Sequence, residues 1–493
     1  MLVAMKHIRS IAVSLLTAST LLLSACQDVL EREPQGVFTL ANFFENEEHA
    51  VLATNAVYNY LRNWEVHVFN YIGMTDIASD DSDKGSFPAD AFFLQELDDF
   101  THNATNIAPQ TVWGGYYTGI FRANLAIDGI PKVPEMNENL RARLIGECKF
   151  LRAYYYFNLV RWFGDLPLIT QPFPENFEIP RTPKDKIYEQ IIADLEDAAA
   201  VLPLRSAQAP SDLGRATSGA AKGMLAKVYL TLGNFPEAER YALEVINSGQ
   251  YSLWPDYSTL FMEEGENSQE SLFEVQAAAY EQGGGGSQYS EVQGVRGSPN
   301  LGWGFNRPSN NLVSSYEPGD PRREATILYV GEVLPDGSAI VIDNPDIVGE
   351  RYNQKAWRPT PVGGNGNGGA NIMILRYADI LLIAAEALNE NNKSEQALIY
   401  LNQVRARARA GSNVLPNVTI TNKDQLRQRI WRERRSELAM EQVRWFDLAR
   451  QNRLAEVLQA AGKNFVTGKH ELWPIPQNDI DLSNGVLTQN PGY

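Results

Sequence analysis

The stretch Met373–Glu390, MILRYADILLIAAEALNE, constrains this chain most. Tyr377, Ile380, Leu381, Ala384, Ala385 and Leu388 recur at the spacing of one helical face. Leu382, Ile383 and Ala387 take the other side, so little of this helix is polar enough to face water. It predicts a central helix covered from both sides. Ser394–Ala410 predicts a second helix after the short turn Asn389–Lys393, and so short a connection makes the two antiparallel. An apolar hairpin of this kind cannot stand alone and needs further hairpins stacked on it.

Such hairpins are present. Helices are predicted over Arg215–Leu232 and Phe235–Asn247, with Gly233-Asn234 between them. Leu225, Ala226, Tyr229, Gly233, Phe235 and Ala238 fit the large, small, aromatic and turn positions of a tetratricopeptide unit. Leu381–Ala408 repeats the arrangement more loosely, with Ala385, Leu388 and Ala397 in corresponding places. Upstream, helices are predicted over Phe43–Asn63, Trp113–Ile130, Asn137–Phe163 and Lys184–Ala200, the last with Pro183 at its start. The fold class expected is mainly α, a tetratricopeptide-like superhelix.

Two regions break the pattern. Residues 64–108 lose helical periodicity and carry the acidic, turn-rich stretch TDIASDDSDKG. Residues 251–370 are rich in glycine and proline, with short β candidates in SLFEVQA and AIVIDN. A long irregular excursion inside a compact domain is commonly functional, and Tyr289, Trp303, Phe305 and Trp357 argue against disorder. The scaffold is therefore expected at about 40–63, 113–250 and 371–452, with an extended C-terminal segment, 465–493, packed across the body through Leu472, Trp473 and Ile475.

The N-terminus reads as a targeting segment. Lys6 and Arg9 precede an apolar run, Ile11–Leu23, too short to span a bilayer. It ends in Leu23-Ser24-Ala25-Cys26, which looks like a lipobox. Residues 1–25 would be the signal peptide, Cys26 would carry lipid, and 26–493 would form one domain. The remaining cysteine, Cys148, lies in a helical run and reads as a buried, inert thiol.

The chain has 60 acidic and 43 basic residues and a formal net charge of −17. That excludes an extended nucleic-acid surface, which needs a basic stripe. Polyanions would be repelled at long range unless a local basic pocket overrode the field. Catalytic motifs are missing: His49, His67, His102 and His470 show no metal-ligand spacing, and there is no G-x-S-x-G elbow. Arg434, Glu437, Glu441, Arg444, Asp447 and Arg450 pair at helical spacing and read as structural ion pairs. No catalytic residue, metal or cofactor is assigned.

Five stretches together resemble SusD/RagB-like outer-membrane lipoproteins of Bacteroidetes: ECKFLRAYYYFNLVRWFGDLPLI, GRATSGAAKGMLAKVYLTLGNFPEAERYA, ILRYADILLIAAEALNE, ERRSELAMEQVRWFDLAR and LWPIPQNDIDLSNGVLTQNPGY. WGGYYTGIFRANLAID fits as well. The resemblance implies about four helix pairs and a loop-rich ligand part. It also implies a lipid-anchored protein of the outer membrane, facing outward. Such a protein captures glycans or other nutrients, without catalysis, for a SusC-like TonB-dependent transporter. A peptide-binding member and a repeat scaffold for protein assembly are the alternatives.

The matching motifs are scaffold motifs and name no ligand. Sugar capture in water needs flat apolar faces beside hydroxyl-bonding groups. Trp303, framed by Gly302 and Gly304, is the leading candidate, followed by Trp64 and by Trp357 beside Arg358. Asp81, Asp83, Asn306 and Tyr289 complete the expected set. Asp81–Gly85 is a fragment of a calcium-loop pattern with no glutamate at the proper distance, and a solvated loop is the expectation there.

Overall fold

The computed structural model describes residues 43–174, 178–343, 345, 347, 349–359 and 367–493. Cys26, expected to carry the lipid, and the leader after it lie outside that set. Eight helices build the body: α1 Glu47–Tyr60, α2 Ile107–Gly129, α3 Glu138–Phe163, α4 Lys184–Val201, α5 Ser218–Thr231, α6 Phe235–Asn247, α7 Tyr377–Glu390 and α8 Ser394–Arg409. They associate as α1/α2, α3/α4, α5/α6 and α7/α8, and each pair packs on the next through α2–α3, α4–α5 and α6–α7 contacts. This is the stacked-hairpin architecture that α7 demanded. Among the described residues no helix is long and apolar enough to cross a membrane.

Local chemistry starts these helices where they start. Asn46, Asn106, Asn137, Thr217 and Asn234 each accept a hydrogen bond from a backbone N–H of the first turn, satisfying donors that have no partner within the helix. Every residue of α7 from Tyr377 to Asn389 is buried. The two acids of that buried stretch survive there because they are paired. Asp379 accepts from Lys227 at 3.0 Å and Arg434 at 2.8 Å, and Glu386 accepts from Arg450 at 2.6 Å.

Three expectations are corrected. The helix does not reach back to Met373: Ile372–Arg376 is strand β6, antiparallel to β2, Ser271–Val275. Its backbone is satisfied across the ladder, and Ile372 and Leu375 are buried against the helical core. Helix α2 starts at Ile107, six residues before Trp113, inside the stretch expected to be irregular. The acidic stretch is not solvated. Thr75, Asp76, Asp80 and Asp81 are all buried, and residues 66–82 are interior throughout.

The reason lies in the next scaffold helices, α9 Lys423–Leu438 and α10 Arg444–Arg450. Arg444 donates to both oxygens of Asp80, at 2.8 and 3.0 Å, and Arg435 donates to Asp81 at 2.7 Å. Ion pairing along 433–450 is real, but most of it runs between elements and not along one helix. Glu437 binds Arg376, Arg407 and Arg322, and Glu441 binds Arg376 and Lys355. Helical spacing is lost because α9 ends at Leu438, with Met440 and Gln442 at φ +63° and +58°.

Cys148 is buried, and burial pushes its thiol up to about 12, in keeping with an inert side chain. The C-terminal segment closes the body, with Trp473 and Ile475 buried and the Trp473 N–H donating to the Trp162 carbonyl.

Candidate functional site

The two irregular regions meet through a short ribbon. Strand β1, Ser82–Gly85, pairs antiparallel with β3, Phe305–Pro308, with Ser82 opposite Pro308 and Gly85 opposite Phe305. The pairing carries Trp303, just before β3, onto Trp64, at the start of a short turn of helix beside β1's region. Their ring centroids lie 5.8 Å apart. Phe69 sits beneath both, 5.0 Å from Trp64 and 6.0 Å from Trp303, and Phe305 and Phe93 flank it at 4.8 and 5.7 Å. Phe69 and Phe305 are buried, whereas Trp64, Trp303 and Phe93 are half-buried. The result is a rigid aromatic face on an apolar bed.

Gly302 and Gly304 fix the position of the indole. The Trp303 N–H donates to the Glu291 carbonyl at 2.8 Å and the Gly304 N–H to the Gly294 carbonyl at 3.0 Å. A Cβ on Gly302 would lie 2.3 Å from the Glu291 carbonyl oxygen, and Gly304 has φ +74°. These glycines let two backbones approach closely enough to hold Trp303 in place.

Polar groups border the aromatic face. Arg296 pairs with Asp90 and donates to Ser86 Oγ at 2.6 Å, with its guanidinium 4.0 Å from the Phe87 ring centroid. Arg307 pairs with Asp83 at 2.7 Å. Side-chain exposure of 26% and 36% in the first pair, and 22% and 37% in the second, leaves both reachable from solvent. Lys84 Nζ donates to the carbonyls of Phe87, Pro88 and Asp90 and pins the loop that carries Asp90. Such a border, with donors and acceptors beside flat apolar rings, suits a hydroxylated ligand.

The remaining candidates from the sequence are placed elsewhere, and each has a reason. Asn306 is fully buried: its amide donates to Asp76 and Gln293, and its oxygen accepts from Ser82 Oγ. It ties the two irregular regions together from inside. Tyr289 is buried with its hydroxyl on Gln442, and Asp81 is buried on Arg435. Trp357 is only 5% exposed and packs in a small separate core with Val295, Leu328 and Tyr352. Its edge lines an open cleft of about 760 Å³ beside Glu263 and Asp336. Arg358 is turned to Glu266 at 3.0 Å. Only Trp64, Trp303 and Asp83 of the expected set belong to the aromatic face and its border.

Sequence reading missed Phe93, Asp90, Arg296 and Arg307. Strand alternation gives no signal for Arg307, because Phe305, Asn306 and Pro308 are all buried and Asn306 breaks the pleat at φ +59°. Nothing local marks the others, which reach the site through long-range pairing.

The carboxyl of Asp76, behind β1, is pushed up to about 7 by burial, against N–H donors from Asn306 and Gln442. His67, the last residue of the helical turn that Trp64 starts, is held down at about 4 by burial and is bonded to Tyr154. Both are interior groups of the fold that supports the face.

Known proteins share this architecture. Residues 269–493 match the model of the SusD family, and residues 49–230 match a family described as starch-binding and associating with the outer membrane. A SusD-like protein of Formosa agariphila is 31% identical over 96% of this chain and 98% of its own length. One of Bacteroides ovatus is 29% identical over 88% and 81%. Among solved structures, a laminarin binding SusD-like protein superposes with a TM-score of 0.79 at 30% identity, covering 91% of this chain and all of its own. The surface glycan-binding protein A of Bacteroides thetaiotaomicron, solved in complex with laminarihexaose, gives 0.77 at 25%, covering 90% and 99%. With two family models dividing the chain between them and a relative matching it end to end, this chain belongs to the SusD family.

Proposed function

We propose that this chain is a surface lipoprotein that binds oligosaccharides at the Trp64–Trp303 face, without chemically altering them, and delivers them to a SusC-like TonB-dependent transporter. The observation that carries this reading is the half-buried indole pair itself. It is set on a rigid bed where two reachable Arg–Asp pairs can exchange partners with sugar hydroxyls. Pyranose C–H faces stack on indole, and the charged border orients the ring.

Support for the ligand class comes from relatives whose descriptions name laminarin, laminarihexaose and starch as ligands. Attachment through Cys26 would leave the acidic leader as a tether between membrane and body. Affinity electrophoresis against laminarin, starch and a set of unrelated polysaccharides tests the reading. Retardation by at least one glucan, lost in Trp303→Ala at unchanged melting temperature, is the expected result. No retardation by any glycan, or release of reducing ends on incubation, would sink it. Co-purification of a TonB-dependent transporter with the membrane-bound protein tests the delivery step.

A further inference from the structure

On the scaffold side, sharing no residue with the aromatic face, an open cleft of about 640 Å³ lies between the end of α3, the start of α4, α10 and the C-terminal segment. Its lining includes three cations that pair with no carboxylate among the described residues. The Arg161 guanidinium is clamped between two rings, 3.9 Å from the Phe157 centroid and 3.5 Å from that of Phe446. It donates to the Phe157 carbonyl and to Asn158 Oδ1. Arg181 donates to carbonyls of Phe163, Asp165 and Thr488 and to Asn490 Oδ1. Lys184 stands exposed at the rim.

The arginines of the α9 lattice and its neighbours are held differently. Arg322, Arg376, Arg405, Arg407 and Arg434, all buried, each hold one or more carboxylates. A desolvated guanidinium without a counter-charge is costly, and an incoming anion relieves that cost. The aromatic clamp and two hydrogen bonds hold Arg161 in one orientation, so little side-chain entropy is lost on binding. Asp165, Asp185 and Glu471 also line the cleft, and none forms an ion pair with Arg161 or Arg181. They supply acceptors for hydroxyl donors, which a simple anion lacks and a sugar acid has.

We propose that this cleft is a second ligand site that takes a sugar acid of one or two residues, its carboxylate held by Arg161 with Arg181 and Lys184 adding positive charge. The volume is in the range of small-ligand sites, and the Arg161 guanidinium, held between its two rings, gives a local attraction that a chain of net charge −17 otherwise denies an anion.

Calorimetry on the full chain in detergent micelles tests this with four probes: digalacturonate, the neutral galactobiose, glutarate as a carboxylate without hydroxyls, and laminarihexaose. Digalacturonate is expected to bind at least tenfold more tightly than galactobiose or glutarate, and to weaken as salt rises. Arg161→Lys should cost at least tenfold, and Lys184→Gln, fully at the surface, about threefold at unchanged melting temperature. Laminarihexaose binding, which reports the aromatic face, should be the same in all variants. Equal binding of the acidic and neutral disaccharides overturns the proposal. So does glutarate binding as well as digalacturonate, or digalacturonate affinity unchanged in Lys184→Gln and Arg161→Lys alike. Loss of laminarihexaose binding alone would bear on the Trp64–Trp303 reading and leave this one standing.

Discussion

Arginine meets carboxylate in two settings here, and they differ mainly in access to water. Around α9, Arg376 and Glu437 are at most 1% exposed and lie in a continuous lattice with Glu270, Arg407 and Arg322. Beside the Trp64–Trp303 face, Arg296–Asp90 and Arg307–Asp83 keep roughly a quarter to a third of their side chains in solvent. The same chemical pair does different work in the two places. Buried charges cannot be released without leaving a partner desolvated, so the lattice locks helices and β6 into one arrangement. Half-exposed charges lose little when a partner is exchanged, so the border can trade a carboxylate for a sugar hydroxyl.

The comparison breaks most readily at the lattice. Glu437→Gln leaves Arg376, Arg407 and Arg322 short of a counter-charge, and should cost about 3–5 kcal/mol in denaturant unfolding. A loss below about 1 kcal/mol would mean that the lattice does not hold the fold.

Asp76 lies at the seam between the two settings and adds a pH dependence. Its folded-state carboxyl titrates near 7, above its unfolded value near 3.8. Its contribution to stability is therefore full below about pH 4 and is lost as pH rises through 7. The groups facing it are the Asn306 and Gln442 amides, with Asp81 nearby; Asp80 and Asp81 are themselves compensated by Arg435 and Arg444. Between pH 5 and 8 the wild type should lose about 2 kcal/mol relative to Asp76→Asn. Parallel stability–pH curves for the two proteins would show that Asp76 does not titrate in that range.

At the aromatic face, Trp303→Ala should weaken glucan binding about tenfold or more, near 1.4 kcal/mol, with a much smaller change in stability than Glu437→Gln. An equal loss of fold stability would make Trp303 a core residue. Smallest of all, Arg296→Gln should shift unfolding by less than about 1 kcal/mol while lowering glucan affinity severalfold. If it unfolds the protein as Glu437→Gln does, the distinction between the two settings fails.

Most of the body was legible from local pattern. The apolar recurrence in Tyr377–Leu388, the Asn and Thr caps and the glycine turn between α5 and α6 act within a turn or two of themselves, so their meaning survives in one dimension. Cys148 and Trp473 were readable as interior for the same reason. The acidic stretch was misread because its partners, Arg435 and Arg444, lie more than 350 positions away. Aspartates in a turn-rich segment look solvated until a distant guanidinium takes the place of water.

The candidate site divides in the same way. Sequence alone determined the stacked helix pairs, and it singled out Trp64, Trp303 and Trp357 as indoles in the irregular regions. Only the tertiary structure put the first two side by side and the third in a separate core, because the β1–β3 ribbon joins strands some 220 residues apart. It also decided that Asn306, Tyr289 and Asp81 face inward. Periodicity encodes which side of an element is apolar, but the partner that side meets depends on long-range closure, which no short window of sequence contains.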